Sequence, residues 1–409
     1  MKKIALICHD LSPLQGSEAG NAWKIVSGLS QKHNYHIYYS RSNQLGSSNY
    51  YEQLSKVNDL RENIKLIPVE YPGITKPIVK LSLFLSRGRS PIGISALYWI
   101  NYEFWLSKVY SVIKGNGYDV VHLVNHISFR HPGRFYKLKS KFIWGPTSGL
   151  SFVNPSFFTS KYDIYLVLIK NIILLFIKAL PSRIKHAAMS AQKIFAVTGA
   201  DMDFFEKYNK NVVQLLDVVS TNQVVKVVTH TSGQLNLLWV GRVDKYKKLN
   251  IALDAIKGID AVRLTVVGDG PLVGAMKHYC ALHGIDNVQW VGVAPREVVR
   301  DLMQQSDLLI HTSIKEAGCS VVMEAIDENL PVIAHNYFGM AFALAQGGGY
   351  LVDYVSEDVS IKTIKRHLED IIENPTILEQ YKSQLISVRS RHSLESMINL
   401  FEESYSEHS

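Results

Sequence analysis

DLLIHTSIKEAGCSVVMEAIDENLPVIA, residues 307–334, sets the architecture of this chain. Its apolar run at 308–312 reads as a buried strand. A loop with Gly318 follows, then a helix opening near Ser320 and a second short strand at 331–334. That is half of a βαβ unit. Two carboxylates, Glu316 and Glu324, stand with seven residues between them, one where the strand ends and one about a turn into the helix. Both are placed to face the crevice at the carboxyl edge of a parallel sheet. The free N–H groups of the helix start, from Gly318 through Cys319 and Ser320 to Val321, point there too and favour an anion. A ligand with hydroxyls at its two ends and phosphate between them matches this arrangement, which describes a nucleotide-sugar.

Working outward, 409 residues are too many for one ordinary core and suit two domains. With 47% hydrophobic and 20% charged residues the composition is globular. The run at 4–8 is too short for a secretory h-region and reads as a first buried strand. Cys8, Cys280 and Cys319 form no metal-ligand spacing and suit a reducing cytoplasm. Residues 1–216 carry 27 Lys/Arg against 12 Asp/Glu and the remainder 17 against 24, so the two halves are expected to meet different partners.

In the first half, the strand at 3–8 leads into HDLSPLQGSEAG and a helix from about residue 21. Gly16 and Ser17 lie in that loop, where a small residue allows close approach of backbone to a ligand and Ser17 also suits a helix cap. The strand YDVVHLV, 118–124, is followed by NHISFRHP, in which His122, His126 and His131 compete for a place at the strand's carboxyl end. FIWGPTSG, 142–149, ends in a turn with Gly145 and Gly149. The segment 162–180, YDIYLVLIKNIILLFIKAL, is the most apolar, but Lys170 and Asn171 at its middle argue against a spanning helix. Two readings of it compete: an interfacial helix flanked by basic residues, and a core helix with snorkelling lysines.

In the second half, LLWVGRVDKYKK puts Gly241 and Arg242 at the end of a buried strand and Lys247 at the head of a helix, with Lys248 an alternative. Two cations there suit an anionic ligand. Gly268 ends the next strand in GDGP, and Val293 ends the strand VQWVGV.

These motifs together resemble GT-B glycosyltransferases, in particular retaining family 4 of the bacterial polysaccharide-biosynthesis type. The features are E-x7-E at Glu316 and Glu324, G-R-x(4)-K at 241–247, the turn at Gly268, and the GP-x-x-G turn preceded by Phe129-Arg130. Gly339-Met340 departs from the pair of glycines common in the family's donor loop. The resemblance implies an α/β fold of two Rossmann-like doubly wound domains facing each other across a crevice. Residues 1–216 would form an acceptor-binding domain, 217–234 a linker, 235–390 the nucleotide-sugar domain, and 391–409 a helix crossing back to the first domain.

It further implies transfer of a sugar from a UDP- or GDP-linked donor to a glycan or lipid-linked acceptor, without cofactor or metal. Arg242, Lys247, Glu316 and His126 would be catalytic. The donor would contact these first three together with Gly16, Gly241, Gly268, Val293, Gly318, Cys319, Ser320, Val321 and Glu324. The acceptor would meet Gly16, Ser17, Gly145 and Gly149. The expected setting is the cytoplasmic membrane face, through the basic first domain. An inactive partner subunit and a sugar-nucleotide epimerase are the rivals on the same fold; no nucleic-acid module is read.

Overall fold

A computed structural model of the protein describes all residues except 16, 44–47, 58, 76, 79–80, 82–90, 181, 221–232 and 408–409. The chain forms two compact units, Met1–Leu150 with Leu180–Asp217 and Met397–Ser409, and Ser151–Ala179 with Val218–Ser396. The first holds strands β1 Lys3–Cys8, β2 Asn34–Ser40, β3 Ile64–Val69, β4 Val120–Asn125, β5 Lys141–Thr147, β6 Lys193–Ala196 and β7 Val212–Gln214. The second holds β8 Leu235–Val240, β9 Val262–Val267, β10 Val288–Gly292, β11 Leu308–His311, β12 Val332–His335 and β13 Gly349–Val352.

The sheet orders are β3-β2-β1-β4-β5-β6-β7 and β10-β9-β8-β11-β12-β13. Each sheet is parallel, so the strands are covered on both faces, and this is why their sequences are apolar runs rather than alternations. All four residues of β11 are buried, and so are five of the six in β1. In each sheet the order reverses beside the first strand of the unit, at β1/β4 and at β8/β11. Loops leaving the carboxyl ends of those strands flank the switch point, where doubly wound sheets hold ligands. The chain is therefore an α/β protein with two doubly wound units, as the sequence predicts.

Several boundaries move. The expected strand at 331–334 is β12, shifted one residue, because Pro331 has no N–H to give to the ladder. A helix over Pro91–Ile113 begins at proline, a good first-turn residue. Most of the expected linker at 217–234 lies outside the described residues.

The apolar helix of 162–180 runs over Lys161–Ala179 and packs with the second unit, whereas its place in the sequence puts it in the first. Val167 joins the second unit's core, while Asn171 brackets Val153 by accepting its N–H at 3.3 Å and donating to its carbonyl at 2.8 Å. Among the described residues no single helix is long and apolar enough to cross a membrane. The last helix, Leu394–Ser406, carries Phe401 and Tyr405 into the first unit. There the Tyr405 hydroxyl donates to His122 Nδ1 at 2.7 Å, and His122 Nε2 donates to the Gly145 carbonyl at 2.7 Å.

Candidate functional site

In the second unit the site is built on the loop between β8 and the helix Leu249–Ile256. Gly268 adopts φ 129°, and a Cβ there would sit 1.9 Å from the Gly241 carbonyl oxygen. Only glycine lets the loop after β9 lie directly on the loop after β8. The two are stitched by Gly241 N–H to Val267 O at 3.0 Å and Val243 N–H to Asp269 O at 3.0 Å. Asp244 Oδ1 then accepts from the N–H groups of Tyr246 (2.9 Å) and Lys247 (3.1 Å), a local turn that fixes where Lys247 leaves the loop. From β11's end, the Thr312 hydroxyl donates to the Lys247 carbonyl at 2.8 Å while accepting Trp239 Nε1–H at 3.0 Å.

Lys247 Nζ pairs with Glu316 Oε2, the same oxygen that accepts the Ser313 hydroxyl at 3.1 Å and lies 3.7 Å from His311 Nε2. Burial alone pushes the Glu316 carboxyl up. The His311 contact and the Lys247 charge outweigh it and hold the group at about 2. Burial lowers His311, whose buried Nε2 has no hydrogen-bond partner among the described residues. At neutral pH Glu316 is thus a carboxylate and His311 a neutral imidazole.

Lys248, the alternative to Lys247, has φ 49° and directs its ammonium to Glu357 at 2.7 Å, over the Phe158 ring. It is a packing residue, and Lys247 is the one that meets the carboxylate pair's first member. Arg242 is 71% exposed, with Asp244 Oδ2 no closer than 3.7 Å to its Nε. That separation is beyond a hydrogen bond and leaves the guanidinium accessible.

Glu324 sits in the helix Ser320–Asp327, but its Oε1 accepts from Arg296 at 2.8 Å, a partner that spacing does not disclose. No side chain caps this helix at Cys319; Gly318 O accepts the Ser320 N–H at 2.9 Å, and the amides of Val321 and Val322 precede the first intrahelical bond, Met323 N–H to Cys319 O at 3.0 Å. Val293 follows Gly292 out of β10 and is largely exposed. Gly339 and Met340 are buried in the short helix Phe338–Ala343. Beside it His335 bridges Ser313 O (3.1 Å) and the Ser360 hydroxyl (2.9 Å), and burial lowers it to about 4.

The first unit has its own polar cluster at the ends of β1 and β4. His126 Nδ1 donates to Glu18 Oε2 at 2.7 Å, its Nε2 lies 2.9 Å from the Tyr98 hydroxyl, and Asp10 Oδ2 is 3.6 Å away. Glu18 also accepts the Ile127 N–H at 3.2 Å, which fixes the carboxylate against the strand end. Burial opposes charge on the ring, but Glu18 and Asp10 prevail and raise His126 above its ordinary value. Both carboxylates are in turn lowered, against their burial, by the imidazoles beside them. The donor atoms of His9, Asp10 and His126 lie within 4.8 Å of one another, close enough for an ion. Yet His9 Nε2 already meets Tyr71 and His126 Nε2 meets Tyr98.

Of the three competing histidines, His122 is clamped by Tyr405 and Gly145 and is held neutral by burial at about 4. His131 stacks on Trp99 at 4.6 Å and bonds Glu103 at 2.7 Å. His126 is the one set among carboxylates. Gly16 lies outside the described residues, and Ser17 opens the helix Ser17–Gly28. Gly145 (φ 123°) and Gly149 (φ 120°) have structural reasons to be glycine, since a Cβ would meet the Phe195 carbonyl at 2.3 Å and the Phe129 ring at 3.1 Å. Sequence reasoning missed Asp10, Glu18 and Tyr98. Glu18, one turn from the loop glycines, was the available signal.

Residues 208–385 match the family described as Glycosyl transferases group 1. Among curated proteins, the phosphatidylinositol N-acetylglucosaminyltransferase GPI3 subunit of Saccharomyces cerevisiae is 32% identical over 80 residues, 19% of this chain and 18% of that protein. The match thus spans about a fifth of its curated relative's length. Among solved structures, sucrose-phosphate synthase from Thermosynechococcus elongatus is similar with TM-score 0.63 and 14% identity, over 99% of this chain and 98% of that one. The lipopolysaccharide outer core galactosyltransferase WaaB gives 0.61 and 16%, over 98% of each chain. Anabaena HepE, solved with UDP and glucose, gives 0.59 and 14%, over 99% and 100%.

Proposed function

We propose, from the premise that residues 208–385 are a group 1 glycosyl transferase domain within a GT-B fold, that this protein moves a sugar from a nucleoside-diphosphate donor to an acceptor hydroxyl. The observation that carries the proposal is the pairing of Lys247 with Glu316 beside the accessible Arg242, all at the switch point of the second sheet.

Donor diphosphate competes with Glu316 for Lys247 and draws in Arg242. Glu316, freed from its ammonium, accepts hydrogen bonds from sugar hydroxyls, and Glu324 accepts from the ribose after exchanging Arg296 for it. The bond from the anomeric carbon to the diphosphate oxygen breaks as the bond to the acceptor oxygen forms. The acceptor's proton passes to the departing diphosphate, and the two cations stabilise the charge that builds there. Retention at the anomeric carbon, UDP or GDP as the nucleotide, and charge stabilisation by cations without a resident metal belong to the same proposal. In the first unit, His126, aligned by Glu18 and favoured in its charged form by the carboxylates beside it, recognises a hydroxyl or an anionic oxygen in exchange for Tyr98.

The proposed acceptor is a glycan or lipid-linked sugar of a bacterial surface polysaccharide. WaaB bears the name of a lipopolysaccharide galactosyltransferase, which supports this direction, and HepE, solved with UDP and glucose, supports UDP as the nucleotide. The buried thiols of Cys8, Cys280 and Cys319, none of them in a disulfide, support a reducing compartment, the cytoplasm.

The test is incubation of the purified protein with a panel of UDP- and GDP-sugars and candidate acceptors, read by mass spectrometry. Formation of a glycosylated acceptor with release of nucleoside diphosphate is expected. Donor conversion to an isomer without acceptor gain would assign an epimerase instead, and binding without turnover of any donor would assign a non-catalytic partner.

A further inference from the structure

The helix Lys161–Ala179 is apolar on two faces, and only one of them is used. Val167 and Leu174 are buried, and on the same side Asn171 and Lys178 bind the backbone of Val153 and the face of the Phe152 ring. On the opposite side Tyr162 (70% exposed), Tyr165, Ile172, Ile173 and Phe176 (61%) face solvent. At the α-helical repeat these five positions, with Ile169 between them, fall within an arc of about 100°, a full apolar stripe. From Tyr162 to Phe176 the stripe is about 21 Å long. No charged residue falls inside the arc; Lys161 borders it on one side, and Lys170, about 60° beyond it on the other, is exposed with its ammonium 3.4 Å from the Tyr246 hydroxyl. The core-helix alternative therefore accounts for only the inner face.

A stripe of this size needs an occupant. Its own charges select one. The helix carries three lysines, Lys161, Lys170 and Lys178, against a single acid, Asp163. Asp163 is itself engaged by Lys245 at 2.5 Å, so it leaves no carboxylate for a basic partner to meet. A second copy packing antiparallel about the helix centre would set Lys170 beside its own counterpart. An anionic lipid surface accepts both features at once, with apolar side chains entering the acyl boundary, tyrosines at one end near the headgroups and lysines at the edges.

We propose that the outer face of the helix Lys161–Ala179 lies in the plane of an anionic membrane surface and holds the protein there without spanning it. This inference is independent of the glycosyl-transfer reading, and its test needs no turnover.

The full chain is sedimented with vesicles of phosphatidylcholine and phosphatidylglycerol at low salt, alongside the double variant Ile172→Glu/Phe176→Glu. Both substituted positions are exposed, and circular dichroism checks the fold. The native protein is expected to pellet with the vesicles, and the double variant to lose at least about tenfold in partitioning. A second variant, Lys161→Glu/Lys170→Glu, should lose binding to anionic vesicles while keeping the apolar stripe. Three results would overturn the proposal. The native protein could stay in the supernatant, the folded double variant could pellet equally, or analytical ultracentrifugation could show a native dimer that the double variant dissolves, assigning the stripe to a second copy.

Discussion

Lys247 and Glu316, sixty-nine residues apart in sequence, form one ion pair at the carboxyl end of the second sheet, and Ser313 and His311 gather on the same carboxylate oxygen. The pair holds a cation and an anion side by side, partly shielded from water. It keeps both groups charged, and a diphosphate with a sugar attached offers each of them a better-matched partner.

The first prediction concerns the cations. Lys247→Ala and Arg242→Ala should each lower the rate of sugar transfer by about a hundredfold or more, the usual loss for one group that stabilises a leaving charge. Steady-state kinetics, with circular dichroism to check folding, measures this. Near-native transfer in both variants would remove them from the reaction.

The two carboxylates should separate by readout. Glu324→Gln is expected to weaken nucleoside diphosphate binding, whereas Glu316→Gln is expected to spare it and slow transfer. Competition binding with UDP and GDP, set beside turnover, distinguishes them. Equal loss of diphosphate affinity in both would contradict the division.

A third prediction follows from the Glu316 carboxyl, held at about 2 against an ordinary 4.5. A depressed folded-state value stabilises the fold above the unfolded value, and that stabilisation drains away as pH falls from 4.5 towards 2. The shift corresponds to at most about 3 kcal/mol. Urea unfolding across this window should show Glu316→Gln flattening the acid loss of stability. An unchanged pH profile in the variant would mean the carboxyl titrates normally.

His126 supplies the fourth. Its folded-state value is raised, chiefly because Glu18 and Asp10 outweigh the cost of burial. The ring should titrate above the usual 6.5, and Glu18→Gln should bring its midpoint down. NMR of the imidazole C–H signals, assigned with His126→Asn, follows it. A native midpoint at or below the ordinary value, or no change on removing Glu18, would refute the pairing.

Much of this was legible in sequence, for physical reasons. Parallel strands buried on both faces must be apolar runs, so β1, β8 and β11 announce themselves, and the polar residues just after them mark the switch points. Gly268 is legible because only glycine fits against the Gly241 carbonyl. What spacing cannot disclose is pairing across distance. Glu316 is claimed by Lys247 and Glu324 by Arg296, and no local pattern shows either. Glu18 was passed over because a carboxylate in a first helical turn is ordinary until the fold brings His126 onto it. Likewise the helix Lys161–Ala179 sits in sequence inside the first domain, and only packing assigns it to the second unit.

The central claim is that the Lys247 and Glu316 end of the second sheet receives the diphosphate of a nucleotide-sugar. Isothermal calorimetry of UDP and GDP against the native protein and Lys247→Ala tests it most directly. One of the two nucleotides should bind saturably to the native protein and at least about tenfold more weakly to the variant, the scale of one lost charge-assisted contact. If neither nucleotide binds the folded native protein, or one binds both forms with equal affinity, this end of the sheet is not the diphosphate site.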